Sequence, residues 1–129
     1  MPPLVTALDH LQLPAARLDE AVAWYTDVLG FRVLTDYGAY AMLRLEPGLD
    51  LMLWEAGDHT PLHVAVDGEK KPVFFLKTES FDQLASRLEQ EQVRIAGIED
   101  LGFARFLKFY DPSDNFLGAI EFAQNPAAE

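Results

Sequence analysis

Apolar residues recur along this chain with two different periods. Over residues 18–29 they fall at helical spacing, which predicts an amphipathic helix of about three turns. Gly30 follows directly and is a natural helix stop. Short stretches rich in β-branched and aromatic residues predict strands on both sides of this helix. The predicted strands of the first half are residues 8–13, 31–37, 39–45 and 49–54, with Pro14 ending the first of them.

The same order of elements returns in the second half. A predicted loop over residues 56–71 separates the halves. Ser80 and Gln83 form a predicted capping box, with the serine at the N-cap of a second helix that presents Phe81 and Leu88 on its apolar face. The predicted strands here are residues 73–78, 93–98, 105–110 and 116–122. The order is therefore β-α-β-β-β, twice.

Two short matches support an internal duplication. Leu18-Asp19 matches Phe81-Asp82 at a shift of 63, and residues 31–33 match residues 93–95 at a shift of 62. The alternative is an ordinary α+β sandwich with two similar helices. The duplication predicts one domain over residues 1–129, in which module one covers about 5–57, a linker 58–71, module two 72–123 and a small polar tail 124–129.

Composition narrows the classes of function. The 129 residues are 50% hydrophobic, enough for a core, and carry a formal net charge of −11. Such an acidic chain repels phosphate backbones and anionic lipid, so neither nucleic acid nor a membrane is an expected partner. Cysteine is absent, which excludes disulfides and thiolate chemistry. No apolar run has transmembrane length, and the start lacks a signal-peptide pattern, so the expected location is the cytoplasm.

Four segments resemble the vicinal oxygen chelate superfamily, which includes glyoxalase I, bleomycin resistance proteins and extradiol dioxygenases. These segments are residues 8–11, 23–31, 111–115 and 119–122. The resemblance implies an α+β fold of two paired βαβββ modules, whose mixed, curved sheets surround a cavity and carry their helices outside. It also implies a small-molecule ligand and a homodimer. The turn departs from the family pattern at Asp114, where glycine is usual.

The resemblance also implies metal ligands on the first and last strands of each module. His10 matches the first-strand position, and Glu121 matches the last-strand position of module two. The last-strand position of module one is occupied by Met52, or by Leu51 in a shifted register, and the first-strand position of module two by Val73. None of these side chains binds a hard divalent ion, so the ligand set is incomplete.

Two interpretations of His10 stay open. In one, His63 completes a two-histidine, one-carboxylate set with His10 and Glu121, and the ion is Ni, Mn, Zn or Fe. In the other, His10 is a hydrogen-bonded histidine in a cavity wall. Without a metal, Glu121 is still a candidate general base, with Tyr110 as a proton donor near it. The remaining candidates for ligand contact are Gln12, Tyr40, Met52, Trp54, Phe103 and Arg105.

Three functions are compatible with the sequence. The favoured hypothesis is a small-molecule-binding protein without a complete metal site, because two ligand positions are apolar and aromatic residues are abundant. The second is a divalent-metal-dependent enzyme, either a glyoxalase-like lyase or isomerase or an extradiol-type dioxygenase, using His10 and Glu121. The third is an unrelated α+β interaction module.

Overall fold

The chain divides between His59 and Thr60 into two compact units, here called unit 1 and unit 2. The computed structural model describes residues 2–124, so the predicted tail lies outside the described residues except for Gln124. Each unit contains one β-α-β-β-β series. This confirms the predicted fold class, a pair of βαβββ modules in mixed α+β architecture.

Unit 1 contains one helix and one four-stranded sheet. Its elements are β1 (Leu11–Ala15), α1 (Leu18–Asp27), β2 (Arg32–Asp36), β3 (Tyr40–Leu45) and β4 (Leu49–Glu55). The strand order is β1-β4-β3-β2. β1 runs parallel to β4, and the other pairs are antiparallel. The sheet therefore begins and ends with edge strands, β1 and β2.

Unit 2 repeats this arrangement and adds a hairpin. Its elements are β5 (Val64–Val66), β6 (Glu69–Lys71), β7 (Phe75–Lys77), α2 (Phe81–Gln90), β8 (Ile95–Asp100), β9 (Ala104–Tyr110) and β10 (Phe116–Phe122). The sheet order is β7-β10-β9-β8, which is equivalent to that of unit 1. The prediction of a loop over residues 56–71 was wrong in its second half. β5 and β6 pair there, around a turn in which Asp67 and Gly68 both have positive φ.

The prediction for the first strand was also wrong. β1 spans Leu11–Ala15 rather than residues 8–13, so His10 precedes it and Pro14 lies inside it. β1 is an edge strand that pairs only with β4 in unit 1. Proline is tolerated at such an edge because its missing N–H removes no hydrogen bond from the sheet.

Helix α1 ends at Asp27, two residues before the predicted limit, and the strand after α2 starts later than predicted. Gly30 has a φ of 88°, and the Phe31 N–H directly after it donates back to the Tyr25 carbonyl of α1 at 3.0 Å, so the glycine reverses the chain at the helix end. After α2, the left-handed residue Gln92 extends the turn, and β8 begins at Ile95. Each helix has 10 residues, and none of the described helices is long and apolar enough to span a membrane.

Each sheet has a helix side and an open face. In unit 1, Leu51 and Leu53 are buried on the helix side, where Glu55 of the same face contacts the first N–H of α1. In unit 2, Leu107 and Ala119 are buried on the corresponding side. Because side chains alternate along a strand, the residues between these buried positions define the open face of each sheet.

Candidate functional site

The open face of unit 1 presents three cross-strand pairs of side chains. Tyr40 lies opposite Trp54, Met42 opposite Met52, and Arg44 opposite Asp50. On the neighbouring strand, Gln12 aligns with Met52. Four predicted ligand-binding residues, namely Gln12, Tyr40, Met52 and Trp54, therefore share one face of one sheet.

An aromatic row, made of Tyr37, Tyr40 and Trp54, crosses one end of this face. The Tyr37 and Tyr40 rings are stacked with centroids 4.6 Å apart, and the Tyr40 and Trp54 rings are stacked at 4.5 Å. The row is not closed off from solvent, because Tyr37 is 58% exposed and Trp54 is 41% exposed. The three stacked rings together form one continuous apolar surface.

His10 lies beside the middle of the open face. Its Nδ1–H donates to Asp9 Oδ2 at 2.9 Å, and the Gln12 amide donates to His10 Nε2 at 2.8 Å. The same amide nitrogen lies 3.9 Å from Met52 Sδ. Because the Gln12 amide nitrogen can only donate and the Asp9 carboxylate can only accept, these contacts assign the His10 proton to Nδ1 and a lone pair to Nε2.

The far end of the face is closed by an ion pair. Arg44 Nε and Nη2 donate to the two Asp50 carboxylate oxygens at 2.6 and 3.0 Å. The hydrogen bond from Arg44 holds the pKa of Asp50 below its usual value, and the same bond raises the pKa of Arg44. The guanidinium is therefore already engaged by a carboxylate of the same face.

The open face of unit 2 carries a phenyl cluster, made of Phe75, Phe103 and Phe106. The Phe75 and Phe106 ring centroids are 5.7 Å apart and those of Phe103 and Phe106 are 6.2 Å apart, both edge to face. The predicted contact residue Phe103 is 61% exposed in this cluster. The rings give unit 2 an apolar open face of its own.

Gly118 of β10 lies beneath the phenyl cluster. A Cβ atom at this position would stand 2.4 Å from Cε2 and 2.5 Å from Cδ2 of Phe75. Such contacts are far inside van der Waals distance, so the Phe75 ring takes the space that any side chain at position 118 would need.

Glu121 lies on the helix side of unit 2, not on its open face. Its Oε2 accepts a hydrogen bond from the Phe81 N–H, the first of α2, at 3.2 Å, and its Oε1 accepts one from Arg105 Nη2 at 2.7 Å. Arg105 also donates to Asp82 at 3.1 Å and stacks over the Phe81 ring. Arg105 first and the Phe81 N–H second hold the pKa of Glu121 below its usual value, which makes this carboxylate a weak base.

Glu55 is the unit 1 counterpart of Glu121. Its Oε1 accepts the first N–H of α1, from Leu18, at 3.2 Å. Both carboxylates therefore cap the N-terminus of their own unit's helix. At Ser80, the N-cap of α2, the expected side-chain hydrogen bond is not formed. Met52 lies three residues before Glu55 and Gly118 lies three residues before Glu121, so Gly118 is the counterpart of Met52. Met52 and Glu121, matched above to equivalent positions, lie on opposite faces of their sheets.

This duplication provides a matched pair of variants. Glu121→Ala is expected to lower Tm by about 5 °C, because it removes both the helix cap and the Arg105 partner. Glu55→Ala removes only a cap at an exposed side chain and is expected to cost less than half as much. Thermal melts followed by circular dichroism at neutral pH measure both losses.

The pH dependence of the Glu121 effect has a definite sign. The folded-state pKa of Glu121 is lowered, so its contribution is fully present above the ordinary carboxyl pKa and disappears as pH falls through the folded value. The Tm difference between wild type and Glu121→Ala should therefore shrink on acidification. Equal losses in the Glu55→Ala and Glu121→Ala variants, or a difference independent of pH, would contradict this account of the cap.

Two further predicted residues lie away from these groups. Tyr110 pairs with Phe116 at the start of β10, whereas Glu121 pairs with Arg105. The two pairs are five residue steps apart along β9, roughly 16 Å of strand, so Tyr110 does not lie near Glu121 as expected. Tyr110 is instead stacked on Phe116 at 4.7 Å, under the Arg94 guanidinium. His63 is exposed directly before β5.

A hard divalent metal, which the resemblance implies, does not fit the residues present. Met52 is a thioether, and its counterpart Gly118 is covered by a phenyl ring. Glu121 would have to leave both Arg105 and the Phe81 N–H to bind an ion. Over residues 2–124, no three or more histidine, aspartate or glutamate side chains form a group able to hold a metal.

Each unit is therefore one βαβββ module, and the open face of its sheet carries aromatic rings. A family model described as Glyoxalase/Bleomycin resistance protein/Dioxygenase superfamily matches residues 7–118. The chain belongs to this superfamily, which confirms the resemblance found in the sequence. A comparison with curated proteins gives no match.

Solved structures with the same fold have different activities. TnmS3, an antibiotic binding protein from Streptomyces sp. CB03234, is 17% identical, with 95% of this chain and 100% of that chain covered and a TM-score of 0.74. The fosfomycin resistance protein FosX from Listeria monocytogenes is 14% identical, with 93% and 96% covered and a TM-score of 0.76. Lactoylglutathione lyase from Agrobacterium tumefaciens is 20% identical, with 92% and 96% covered and a TM-score of 0.69. At these identities the likeness concerns the fold.

Proposed function

We propose that this protein binds a small aromatic molecule on the open face of unit 1 without using a hard divalent metal. The observation that carries the proposal is the aromatic row, in which stacked rings remain exposed beside the polar pair His10 and Gln12. Aromatic and apolar side chains with a few polar groups beside them are the typical lining of small-molecule sites. TnmS3, which shares the fold, is an antibiotic binding protein.

Charge favours a neutral or cationic ligand over an anionic one. The chain carries a formal net charge of −11. In unit 1, each arginine has a carboxylate within salt-bridge distance; the pairs are Arg17–Glu20, Arg32–Glu46 and Arg44–Asp50. A ligand carboxylate would therefore meet a negative field and would have to displace a carboxylate to reach a guanidinium.

A fluorescence titration with N-phenyl-1-naphthylamine, a neutral aromatic probe, tests the proposal. The probe is expected to bind wild type saturably, and Trp54→Ala is expected to weaken its binding by about tenfold, because the variant removes an exposed ring of the aromatic row. The anionic relative 1-anilinonaphthalene-8-sulfonate is expected to bind more weakly than the neutral probe.

The second tryptophan of the chain provides the matched control. Trp24 lies in α1, outside the open face, and packs edge to face with Tyr25. Trp24→Phe should leave probe affinity unchanged. Equal affinity in wild type and Trp54→Ala, or preferential binding of the anionic probe, would overturn the proposal.

We also propose that the protein is a homodimer in the cytoplasm. Each four-stranded sheet has two edge strands within its own unit, and open edges are commonly covered by another chain. The absence of cysteine is compatible with a reducing compartment. Sedimentation at micromolar concentration tests the assembly, and a species of 14.5 kDa would contradict it.

A further inference from the structure

Soft donor atoms converge on the open face of unit 1. Met42 and Met52 are directly opposite each other on β3 and β4, so their Cβ atoms are about 5 Å apart. His10 approaches the same place from the start of β1, through its contact with Gln12. The chain has 3 methionines and no cysteine, and two of these methionines are cross-strand neighbours on this face.

The Gln12 amide nitrogen marks the point toward which two of these donors are directed. It lies 2.8 Å from His10 Nε2 and 3.9 Å from Met52 Sδ. Because the amide donates to both atoms, the imidazole and thioether lone pairs face a common position. Gln12 is exposed, so its side chain can turn to solvent when a cation takes the place of the amide.

Asp9 supports this use of the imidazole. The His10 Nδ1–H donates to Asp9 Oδ2 at 2.9 Å, which leaves Nε2 as the nitrogen available to a ligand. A carboxylate on the second ring nitrogen is the usual outer partner of a metal-binding histidine. His10 is half-buried, with 26% of its side chain exposed, and is therefore accessible without being mobile.

We propose that His10, Met42 and Met52 bind a soft monovalent cation of the Cu(I) class. Thioether and imidazole ligands select Cu(I), whereas hard divalent ions prefer carboxylate, carbonyl and water oxygens. The site lies within unit 1 and does not depend on the proposed aromatic ligand. Trp54 is two residues from Met52 on the same face, so its emission reports on the site.

Titration with Ag(I), a redox-stable ion of the same class, tests the site in chloride-free buffer. Isothermal titration calorimetry is expected to show one Ag(I) per chain, with Trp54 emission quenched in the Trp24→Phe background. Met42→Leu and Met52→Leu preserve side-chain volume and are each expected to weaken binding by about tenfold or more, as is His10→Gln. The double methionine variant should bind no Ag(I), and Zn(II) should bind wild type at least about a hundredfold more weakly.

His63→Gln is the matched control, because His63 is an exposed histidine of unit 2. Its Ag(I) affinity should equal that of wild type. The proposal is overturned if wild type shows no saturable Ag(I) binding, if the double methionine variant binds as wild type does, or if His63→Gln abolishes binding. Circular dichroism of each leucine variant separates loss of the site from loss of the fold.

Discussion

Asp111→Ala is expected to lower the free energy of unfolding by about 3–5 kcal/mol, because it leaves several buried donors without an acceptor. Asp111 is 4% exposed, and its carboxylate accepts the Ser113 N–H, the Asn115 N–H and the Asn115 side-chain amide, each at 2.9 Å. The Asn115 side chain in turn accepts the Leu62 N–H at 3.0 Å. The turn before β10 therefore also fixes the segment that leads into β5. Urea denaturation measures the loss.

Asp114→Gly is the matched control within the same turn. Asp114 is exposed and has a φ of 63°, a conformation that glycine adopts at no steric cost. Its weak ion pair with Arg94, at 3.8 Å, adds little. We expect this variant to change the free energy of unfolding by less than about 1 kcal/mol. A cost for Asp111→Ala no larger than that of the control would show that the hydrogen bonds of the turn are dispensable.

The elements most accessible from sequence were those with strong local signals. The last strand was predicted at residues 116–122 and is observed at Phe116–Phe122, because a polar turn directly precedes a segment in which five of seven residues are apolar. The β5–β6 hairpin was missed although Asp67-Gly68 is a strong hairpin turn. Its strands have only 3 residues each, too few for an alternating pattern to emerge.

The candidate site was only partly accessible from sequence. Alternation along a strand groups Leu117, Ala119 and Glu121 on one face, but it cannot say which face meets the helix. That choice depends on α2, whose first N–H takes the Glu121 carboxylate. In unit 1 the sheet register brings Gln12 beside Met52 on the open face, while Leu13 is buried on the helix side.

The Phe75–Gly118 contact is a stronger obstacle to a metal ligand than the presence of methionine at position 52. A thioether leaves room for another side chain, whereas a phenyl ring in contact with a glycine does not. One mutation at position 52 changes only ligand chemistry. A carboxylate at position 118 requires that the Phe75 ring move as well.

Gly118→Glu is therefore expected to lower the free energy of unfolding by about 3–5 kcal/mol, through overpacking against Phe75 and burial of a charge. Met52→Glu, at the half-buried counterpart in unit 1, should cost less than half as much. A double-mutant cycle in urea isolates the ring, because Phe75→Ala should recover about 1–3 kcal/mol of the Gly118→Glu loss. If Gly118→Glu costs the same with and without the Phe75 ring, the ring is not what excludes a side chain from position 118, and packing alone does not keep a carboxylate ligand out of this module.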